Sequence, residues 1–426
     1  MNGMETVELD VGPVAHGGWC VARHLGQVVF VRHALPGERV RARIVERTSR
    51  FLRADAVEVL AGSPDRVAAP CEYAGPGRCG GCDWQHASPE AQRRLKSDVV
   101  REQLERLAGI RTKVEVEALP GDQDGLGWRT RVRFAVRGDG RIGFHRYRSH
   151  DVQPVERCLI THPDVEALGL EQRRWAGVDV VEGVASASTG DRVVRVDGPA
   201  RRPQVPRLDA PVRVVRGKPS VGPKLPYVRE SACGRTWRVS GTSFWQVHPA
   251  AAEALAAAVS EALEPRAGER AIDLFCGVGL FAGVLGTALG EDGAVLGVES
   301  DPVAVADARH NLADLPRVRI VRGRVDRVLS TGHGSAGDPE WRDGADIAVL
   351  DPPRTGAGAP VVRALAGQVR RAIAYVSCDP ATLARDLRYF AAEGWRLTGL
   401  RAFDAFPMTH HVECVALLEP EPSSPT

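Results

Sequence analysis

Two residues near the end of the sequence have side chains that could carry out chemistry. Cys378 follows the apolar segment Ala372–Ser377 and precedes Pro380, and proline is favoured at the first position of a helix. A thiol beside a helix N-terminus is biased toward the nucleophilic thiolate, although a buried structural cysteine is the alternative. Glu413 lies near the start of a later apolar segment, where a carboxylate is either a charge at the rim or a general acid or base.

A glycine-containing turn indicates a cofactor-binding loop. Residues 271–275 are an apolar strand, and the sequence CGVG at 276–279 follows before an apolar helix begins. Glycine at such a turn lets the backbone approach a ligand, and the helix N-terminus offers unpaired N–H groups. The spacing is not the GxGxxG pattern of a dinucleotide fold, and glycine can also serve packing alone. Gly277 is therefore a candidate cofactor-binding residue.

Two acidic residues end the strands predicted to follow. Glu299 ends the apolar segment AVLGVE, where a carboxylate can accept hydrogen bonds from ribose hydroxyls; a solvated strand-end acid is the alternative. Asp351 ends IAVLD and precedes two prolines, which stiffen the chain where it leaves the sheet. Open α/β sheets bind ligands at the carboxyl ends of their strands, so Asp351 is predicted to overlook the active-site crevice.

The elements that must position these residues divide the sequence into three predicted domains. Alternating strands and helices over residues 241–426 predict a Rossmann-like, doubly wound α/β domain with a mainly parallel sheet. Short strands separated by glycine and proline over residues 1–62 predict a small OB-like β-barrel. Residues 63–240 form a predicted central α+β domain.

The central domain contains a predicted helix and a predicted hairpin. Ser88 and Pro89 have the residue types of a helix start, which predicts a helix over 88–107. Residues 128–148 predict a hairpin that turns at Gly138-Asp139-Gly140. Arginine and aromatic residues alternate in this hairpin, which is typical of nucleic-acid contact. An exposed sheet face is the alternative.

The composition excludes several classes of protein. With 426 residues, of which 43% are hydrophobic and 26% charged, the chain is predicted to fold into two or three domains. No apolar run is long enough to span a membrane, and the first residues do not resemble a signal peptide, so we expect a cytoplasmic protein without membrane contact. We also expect a monomer. The nine cysteines are predicted to be thiols or metal ligands rather than disulfides.

Six segments match a known family in their order and spacing. They are SFWQ, DLFCGVGLFA, GVE, LDPPR, SCDPATLARDL and DAFPMTHHVECV. With them the chain resembles the RNA 5-methyluridine methyltransferases, class I enzymes that methylate C5 of uracil with S-adenosylmethionine. The resemblance covers nearly the whole chain, since the N-terminus is similar to the family's TRAM domain and GWRTRVRFAV and GFHRYRSHDV lie in its central region.

The resemblance implies a role for each candidate residue. Cys378 is implied to be the nucleophile and Glu413 the base. The implied methyl-donor site consists of Gln246, Phe275, Gly277, Glu299 and Asp351. Leu280 and Arg324 stand where family members often have Asn and Asp, so those two cofactor contacts do not carry over.

The resemblance also assigns a cluster of cysteines. Cys71, Cys79 and Cys82 form a C-x7-C-x2-C pattern, and Cys158 lies in a segment similar to the family's cluster-binding region. Four thiolates can hold an iron–sulfur cluster or tetrahedral zinc, and the ligand set alone does not separate them. The resemblance favours a 4Fe–4S cluster over zinc.

The implied partner is structured RNA. Family members that have both a TRAM domain and a cluster often act on large-subunit ribosomal RNA, which makes it the first expectation, with transfer RNA as the alternative. Asp-Pro-Pro at 351–353 also occurs in amino methyltransferases of the N6-adenine type, usually before an aromatic residue, but Arg354 follows here. The remaining alternative is an RNA-binding protein that retains the fold without catalysis.

Overall fold

The computed structural model describes residues 5–122, 124–199, 203–217, 221–222, 224–330, 341 and 344–422. Its N-terminal part is a six-stranded sheet with strand order β1-β5-β6-β4-β3-β2. The strands are β1 (Thr6–Asp10), β2 (Val14–Ala15), β3 (Trp19–His24), β4 (Gln27–Arg32), β5 (Arg39–Arg47) and β6 (Phe51–Ala61). Alternate residues such as Leu9, Val40 and Ala54 point into a small apolar core. The predicted N-terminal β-domain is therefore confirmed.

The first helix, α1 (Pro89–Ala108), begins where the sequence predicts. The Ser88 side chain accepts a hydrogen bond from the Ala91 N–H, and Pro89 occupies the first helical position. The helix ends at Gly109, which has a left-handed φ of 69° that glycine adopts without strain.

The central residues form a second six-stranded sheet with strand order β10-β9-β8-β11-β12-β13. The predicted hairpin is confirmed, because β8 and β9 pair antiparallel around the turn at 137–141. The elements of this region are β7 (Val116–Ala118), β8 (Arg131–Val136), β9 (Ile142–His145), β10 (Val152–Pro154), α2 (Pro163–Glu166), β11 (Val180–Ala185), β12 (Arg192–Asp197), β13 (Arg213–Arg216), β14 (Tyr227–Ala232) and β15 (Arg235–Ser240).

The C-terminal residues form the predicted doubly wound α/β fold. Its eight-stranded sheet has the order β18-β17-β16-β19-β20-β22-β21-β7. The first five strands in this order are parallel, and β22 runs antiparallel between β20 and β21. The elements are α3 (Ala251–Leu263), β16 (Arg270–Leu274), α4 (Leu280–Leu289), β17 (Ala294–Glu299), α5 (Pro302–Asn311), β18 (Val318–Arg322), α6 (Val325–Ser330), β19 (Ala345–Leu350), α7 (Ala359–Ala366), β20 (Val369–Ser377), α8 (Pro380–Ala392), β21 (Trp395–Asp404) and β22 (Glu413–Pro420).

Helices cover both faces of the large sheet. Buried residues of α3 and α4 form the core on one face, and buried residues of α1, α6, α7 and α8 form the core on the other. Both α1 and β7 lie within 63–240, yet they pack on or pair with this sheet. The boundaries 1–62, 63–240 and 241–426 stay predictions, and residues 1–4 and 423–426 lie outside the described part. In the described residues, no helix has the length and apolar character needed to cross a bilayer.

Candidate active site

Cys378 and Glu413 lie at the ends of two neighbouring antiparallel strands. Ser377 of β20 pairs with Cys414 of β22, and Cys378 and Glu413 are the adjoining residues. Glu413 is 5% exposed, and Cys378 is partly buried just before α8 begins. The antiparallel pairing therefore places the predicted nucleophile beside the predicted base, although the sequence separates the two residues widely.

Burial controls the protonation of both groups. The pKa of the Cys378 thiol is raised to about 12. Burial is the largest cause and the Glu413 carboxyl is the second, while Arg354 partly opposes them. Burial and the nearby Asp351 raise the pKa of Glu413 well above its ordinary value, again against Arg354. In this structure burial outweighs the expected effect of the helix N-terminus, so the free protein holds a thiol rather than a thiolate.

The glycine loop connects two of the predicted cofactor residues. Phe275 directly follows β16 and has φ of 61°, a left-handed conformation that is strained for a bulky side chain, and Gly277 two residues later has φ of 55°. The Gly277 N–H donates to Glu299 Oε2 at 3.1 Å, so the loop and the end of β17 are held together. Among the described residues, and apart from the two chain neighbours, no atom lies within 4 Å of the position that a Gly277 Cβ would take, which leaves open space beside the loop.

Two further buried carboxyls, those of Asp351 and Asp273, lie near this loop. Burial raises the pKa of Asp351, at the end of β19, to about 7. Asp273 on β16 accepts from the Ala282 N–H with one oxygen, but its buried Oδ1 has no hydrogen-bond partner among the described residues. Its pKa is raised well above the ordinary value, first by burial and then by Asp351 and Glu299. A ligand with a positive charge and hydroxyl groups, such as S-adenosylmethionine, fits this set of acidic hydrogen-bond acceptors.

Gln246 lies on the segment between β15 and α3, which is fixed on both sides. It is 7% exposed. The Ser243 hydroxyl donates to Asp307 Oδ2 on α5 at 2.8 Å, and the Val247 carbonyl accepts from the Thr130 N–H at 2.9 Å. These two hydrogen bonds hold the backbone on either side of Gln246, one against α5 and the other against the residue just before β8 of the central sheet.

The structure places further residues near Cys378 and Glu413 that the sequence patterns did not predict to be part of the active site. Arg354 lies 3.2 Å from Nε2 of His411, whose ring packs against His410 at 4.1 Å. His410 Nδ1 lies 2.6 Å from Asp83 Oδ2, and Asp83 directly follows Cys82 in the chain. Of these residues, only Arg354 could have been found from the sequence, because it directly follows Asp-Pro-Pro. The other contacts join segments that are far apart in the sequence.

The four predicted metal-ligand cysteines line one cavity. Cys71, Cys79, Cys82 and Cys158 surround it together with Tyr73, Gln85 and Arg129 among others. Burial raises the pKa of Cys79 to about 11 and raises those of Cys82 and Cys158 as well. Four sulfur donors at one cavity have the chemistry of a cluster or zinc ligand set. Within the described residues, however, no group of three or more His, Cys, Asp or Glu is arranged to hold a metal ion.

Comparison with curated proteins gives full-length relatives. The chain is 53% identical to an uncharacterized RNA methyltransferase of Streptomyces avermitilis, over 98% of each chain. It is also 53% identical to one of Streptomyces coelicolor, over 98% of this chain and 93% of the relative, and 35% identical to one of Corynebacterium efficiens, over 97% and 94%. The tRNA (uracil-5-)-methyltransferase family matches residues 341–421, and the TRAM domain matches residues 4–57.

Among solved structures, a similar fold is that of the Pyrococcus abyssi tRNA (uracil-54, C5)-methyltransferase in complex with S-adenosyl-L-homocysteine. Its TM-score is 0.69 at 24% sequence identity, and the alignment covers 96% of this chain and 99% of that one. At this identity the likeness establishes the fold, including the N-terminal and central sheets that accompany the α/β domain.

Proposed function

Because the chain belongs to the family of S-adenosylmethionine-dependent RNA uracil-C5 methyltransferases, we propose that it methylates C5 of a uridine through a covalent bond between Cys378 and C6. The observation that carries this proposal is the adjacency of Cys378 and Glu413 at the carboxyl edge of the sheet, where Asp351 directly follows β19. A thiol and a carboxyl in contact range of one bound base are the two groups that the reaction requires.

The chain's own residues carry out the bond changes on the pyrimidine. Cys378 first gives up its thiol proton to solvent, and the thiolate adds to C6, which moves the C5–C6 electron pair into an enolate and makes C5 nucleophilic. Bound S-adenosylmethionine supplies an electrophilic methyl group for C5. Glu413 then takes the proton from C5, the electrons of that C–H bond restore the C5–C6 double bond, and the C6–sulfur bond breaks to release the Cys378 thiolate.

The methyl donor is proposed to bind at the carboxyl ends of β16, β17 and β19. The open space at Gly277, the unpartnered Asp273 Oδ1 and the buried Asp351 carboxyl support this placement. Glu299 would accept hydrogen bonds from ribose hydroxyls. Phe275 and Gln246 would complete the site. The hydrogen bond from Gly277 to Glu299 holds the loop that follows Phe275, and the hydrogen bond from Ser243 to Asp307 holds the segment that precedes Gln246.

Large-subunit ribosomal RNA is the proposed substrate, with the target uridine flipped out of its stack so that its C6 can reach Cys378. The TRAM domain match and the four-cysteine cavity support this choice, because they are the two features that the chain shares with family members of that specificity. Transfer RNA is the second candidate, favoured by the tRNA (uracil-5-)-methyltransferase match over residues 341–421.

A 4Fe–4S cluster bound by Cys71, Cys79, Cys82 and Cys158 is part of the proposal, with zinc as the alternative. The common cavity of the four thiols supports it. Gly80 N donates to the His145 carbonyl of β9, so a cluster here would fix the cysteine segment against the arginine-containing hairpin. Its proposed role is structural, and no bond change of the methylation depends on it.

Mass spectrometric mapping of 5-methyluridine tests the function and the substrate together. Ribosomal and transfer RNA are compared from cells with the gene, without it, and with the Cys378→Ala variant. Loss of one ribosomal 5-methyluridine in both altered strains supports the proposal, and loss in transfer RNA selects the second candidate. Unchanged methylation in the Cys378→Ala strain contradicts the covalent route.

A further inference from the structure

A loop of the N-terminal β-domain reaches the residue that follows the nucleophile. His16 lies between β2 and β3, and its Nε2 is 3.1 Å from Asp379 Oδ2, across 363 positions of the sequence. The two side chains are 35% and 23% exposed. Asp379 directly follows Cys378, so this contact joins the TRAM domain to the end of β20, where the nucleophile lies.

The two carboxylate oxygens of Asp379 have different partners. Oδ1 accepts from the N–H groups of Ala381 at 3.0 Å and Thr382 at 2.9 Å, which caps α8, whereas Oδ2 faces His16. Burial alone would raise the pKa of Asp379, but the His16 contact and the helix N–H groups lower it to about 2. Asp379 is therefore a carboxylate held from two directions, one of them in another domain.

Additional contacts hold the His16 loop in place. The Gly18 carbonyl accepts from Trp84 Nε1 at 3.1 Å. Gly18 has φ of 81°, and a Cβ there would lie 2.9 Å from the His410 Cβ, so the approach to the 405–412 segment requires glycine. Arg32 of the same domain lies 3.3 Å from Asp83, which also contacts His410. The loop is thus fixed against two segments that border the active site.

We infer that His16 is a positioning residue for Cys378 and acts through Asp379. The inference rests on the proposed covalent function, because attack on C6 requires the sulfur at a defined distance and angle, and a displacement of about 1 Å can cost about 100-fold in rate. Without His16, the Asp379 carboxylate loses one of its two supports, and the turn that presents Cys378 becomes less ordered. The TRAM domain thereby contributes to the bond-forming step as well as to RNA affinity.

The test measures capture of RNA by the full-length protein. Transcripts of large-subunit ribosomal RNA and of transfer RNA are made with 5-fluorouridine, whose C5 has no proton to remove, so the adduct persists after methylation. With the transcript that the wild type captures, at saturating RNA and S-adenosylmethionine, His16→Ala is expected to form the adduct about 10- to 100-fold more slowly. Its RNA dissociation constant should stay within about twofold of the wild-type value, since the inferred role of His16 is to hold Asp379 and not to bind RNA.

Two matched variants separate positioning from general damage. His16→Asn can still donate an N–H to Asp379 and should recover much of the rate. His24→Ala, at the opposite end of β3, should behave as the wild type. In Asp379→Asn the side chain can still cap α8 but lacks the charge, so adding His16→Ala to it should slow the reaction less than His16→Ala does alone.

Each contrary outcome has its own meaning. A wild-type adduct rate in His16→Ala, or an effect confined to RNA affinity, overturns the positioning role. Additive effects of the two substitutions exclude action through Asp379 and overturn it as well. If the wild type captures neither transcript, the covalent function itself fails, and this inference fails with it.

Discussion

Cys378 and Glu413 adjoin the paired residues Ser377 and Cys414 of two antiparallel strands, and the Glu413 carboxyl helps to raise the pKa of the Cys378 thiol. The two groups therefore share an electrostatic environment in which only one of them easily carries a negative charge. A nucleophile that must be ionised early and a base that must be ionised late can use such coupling. Substitution of Glu413 separates the two roles.

Glu413→Gln keeps the shape of the side chain but cannot take the C5 proton. Product formation should fall by about 10²- to 10⁴-fold, while a covalent complex with ordinary RNA accumulates because the C6–sulfur bond cannot break. Tritiated methyl transfer measures the first effect, and denaturing gel electrophoresis measures the second.

Glu419→Gln, on the same strand but near its other end, is the matched control and should turn over like the wild type. A covalent complex that still forms in the Cys378→Ala/Glu413→Gln double variant would show that the bond involves another residue.

Asp351 should make methyl-donor binding depend on pH. Its pKa is raised to about 7, so the carboxylate that attracts a sulfonium cation is present above that pH and is lost as the pH falls through it. Isothermal titration calorimetry should show S-adenosylmethionine binding more weakly at pH 6 than at pH 8. S-adenosylhomocysteine, which lacks the sulfonium charge, should show a smaller difference, and Asp351→Asn should remove the difference between the two ligands. If the affinities of both ligands for the wild type changed equally with pH, the Asp351 carboxylate would not lie near the sulfonium.

Asp351 should also lower the stability of the ligand-free protein. A carboxyl whose folded pKa is raised contributes stability that is present below its unfolded pKa, near 4, and is lost as the pH rises toward about 7. Asp351→Asn should therefore raise the melting temperature at pH 8 by roughly 2 to 4 °C. The gain should shrink at pH 4.5, and scanning calorimetry at both pH values checks it. A lower melting temperature of the variant at pH 8 would contradict the cost ascribed to this buried charge.

The four-cysteine cavity should hold iron. Protein purified without oxygen is expected to be brown and to contain about four irons per chain by elemental analysis. Cys82→Ala should lose the iron, whereas Cys233→Ala, at a cysteine away from the cavity, should retain it. Stoichiometric zinc without iron would contradict the cluster and support a tetrahedral zinc site instead.

A buried ion pair should stabilise the segment that leads to Glu413. Lys96 of α1 is fully buried, and its ammonium group contacts Asp404 and donates to the Phe406 carbonyl at 3.0 Å. Lys96→Met leaves the Asp404 charge buried without a partner and should cost about 3 to 5 kcal/mol in the free energy of unfolding. Chemical denaturation measures it.

The exposed Lys113→Met provides the control, with an expected change within about 0.5 kcal/mol. Replacing both partners, as Lys96→Met/Asp404→Leu, should recover much of the loss, because no uncompensated charge remains. A Lys96→Met protein as stable as the control would show that Asp404 tolerates burial alone.

Local patterns predicted the elements that place the site. The strand Ala294–Glu299 begins and ends where the apolar segment does, and α1 begins at the predicted Ser88 and Pro89 signal. The rule that parallel strands present ligand-binding residues at their carboxyl ends then predicted the places of Glu299 and Asp351. The addition of β7 to the large sheet was not predictable, since three residues carry too little periodicity to indicate a sheet partner.

Local residue patterns were enough to predict which reactive groups exist and how far each lies from a strand or helix end: a thiol after one strand, acids after others, and a glycine loop between strand and helix. Which of these groups come into contact, and which of them are charged, depends on how distant segments pack together. His16 contacts Asp379 across 363 positions, and burial rather than the helix N-terminus controls the pKa of Cys378. Periodicity and caps report on neighbours within a few residues, whereas burial and charge pairing arise from the packing of the whole chain.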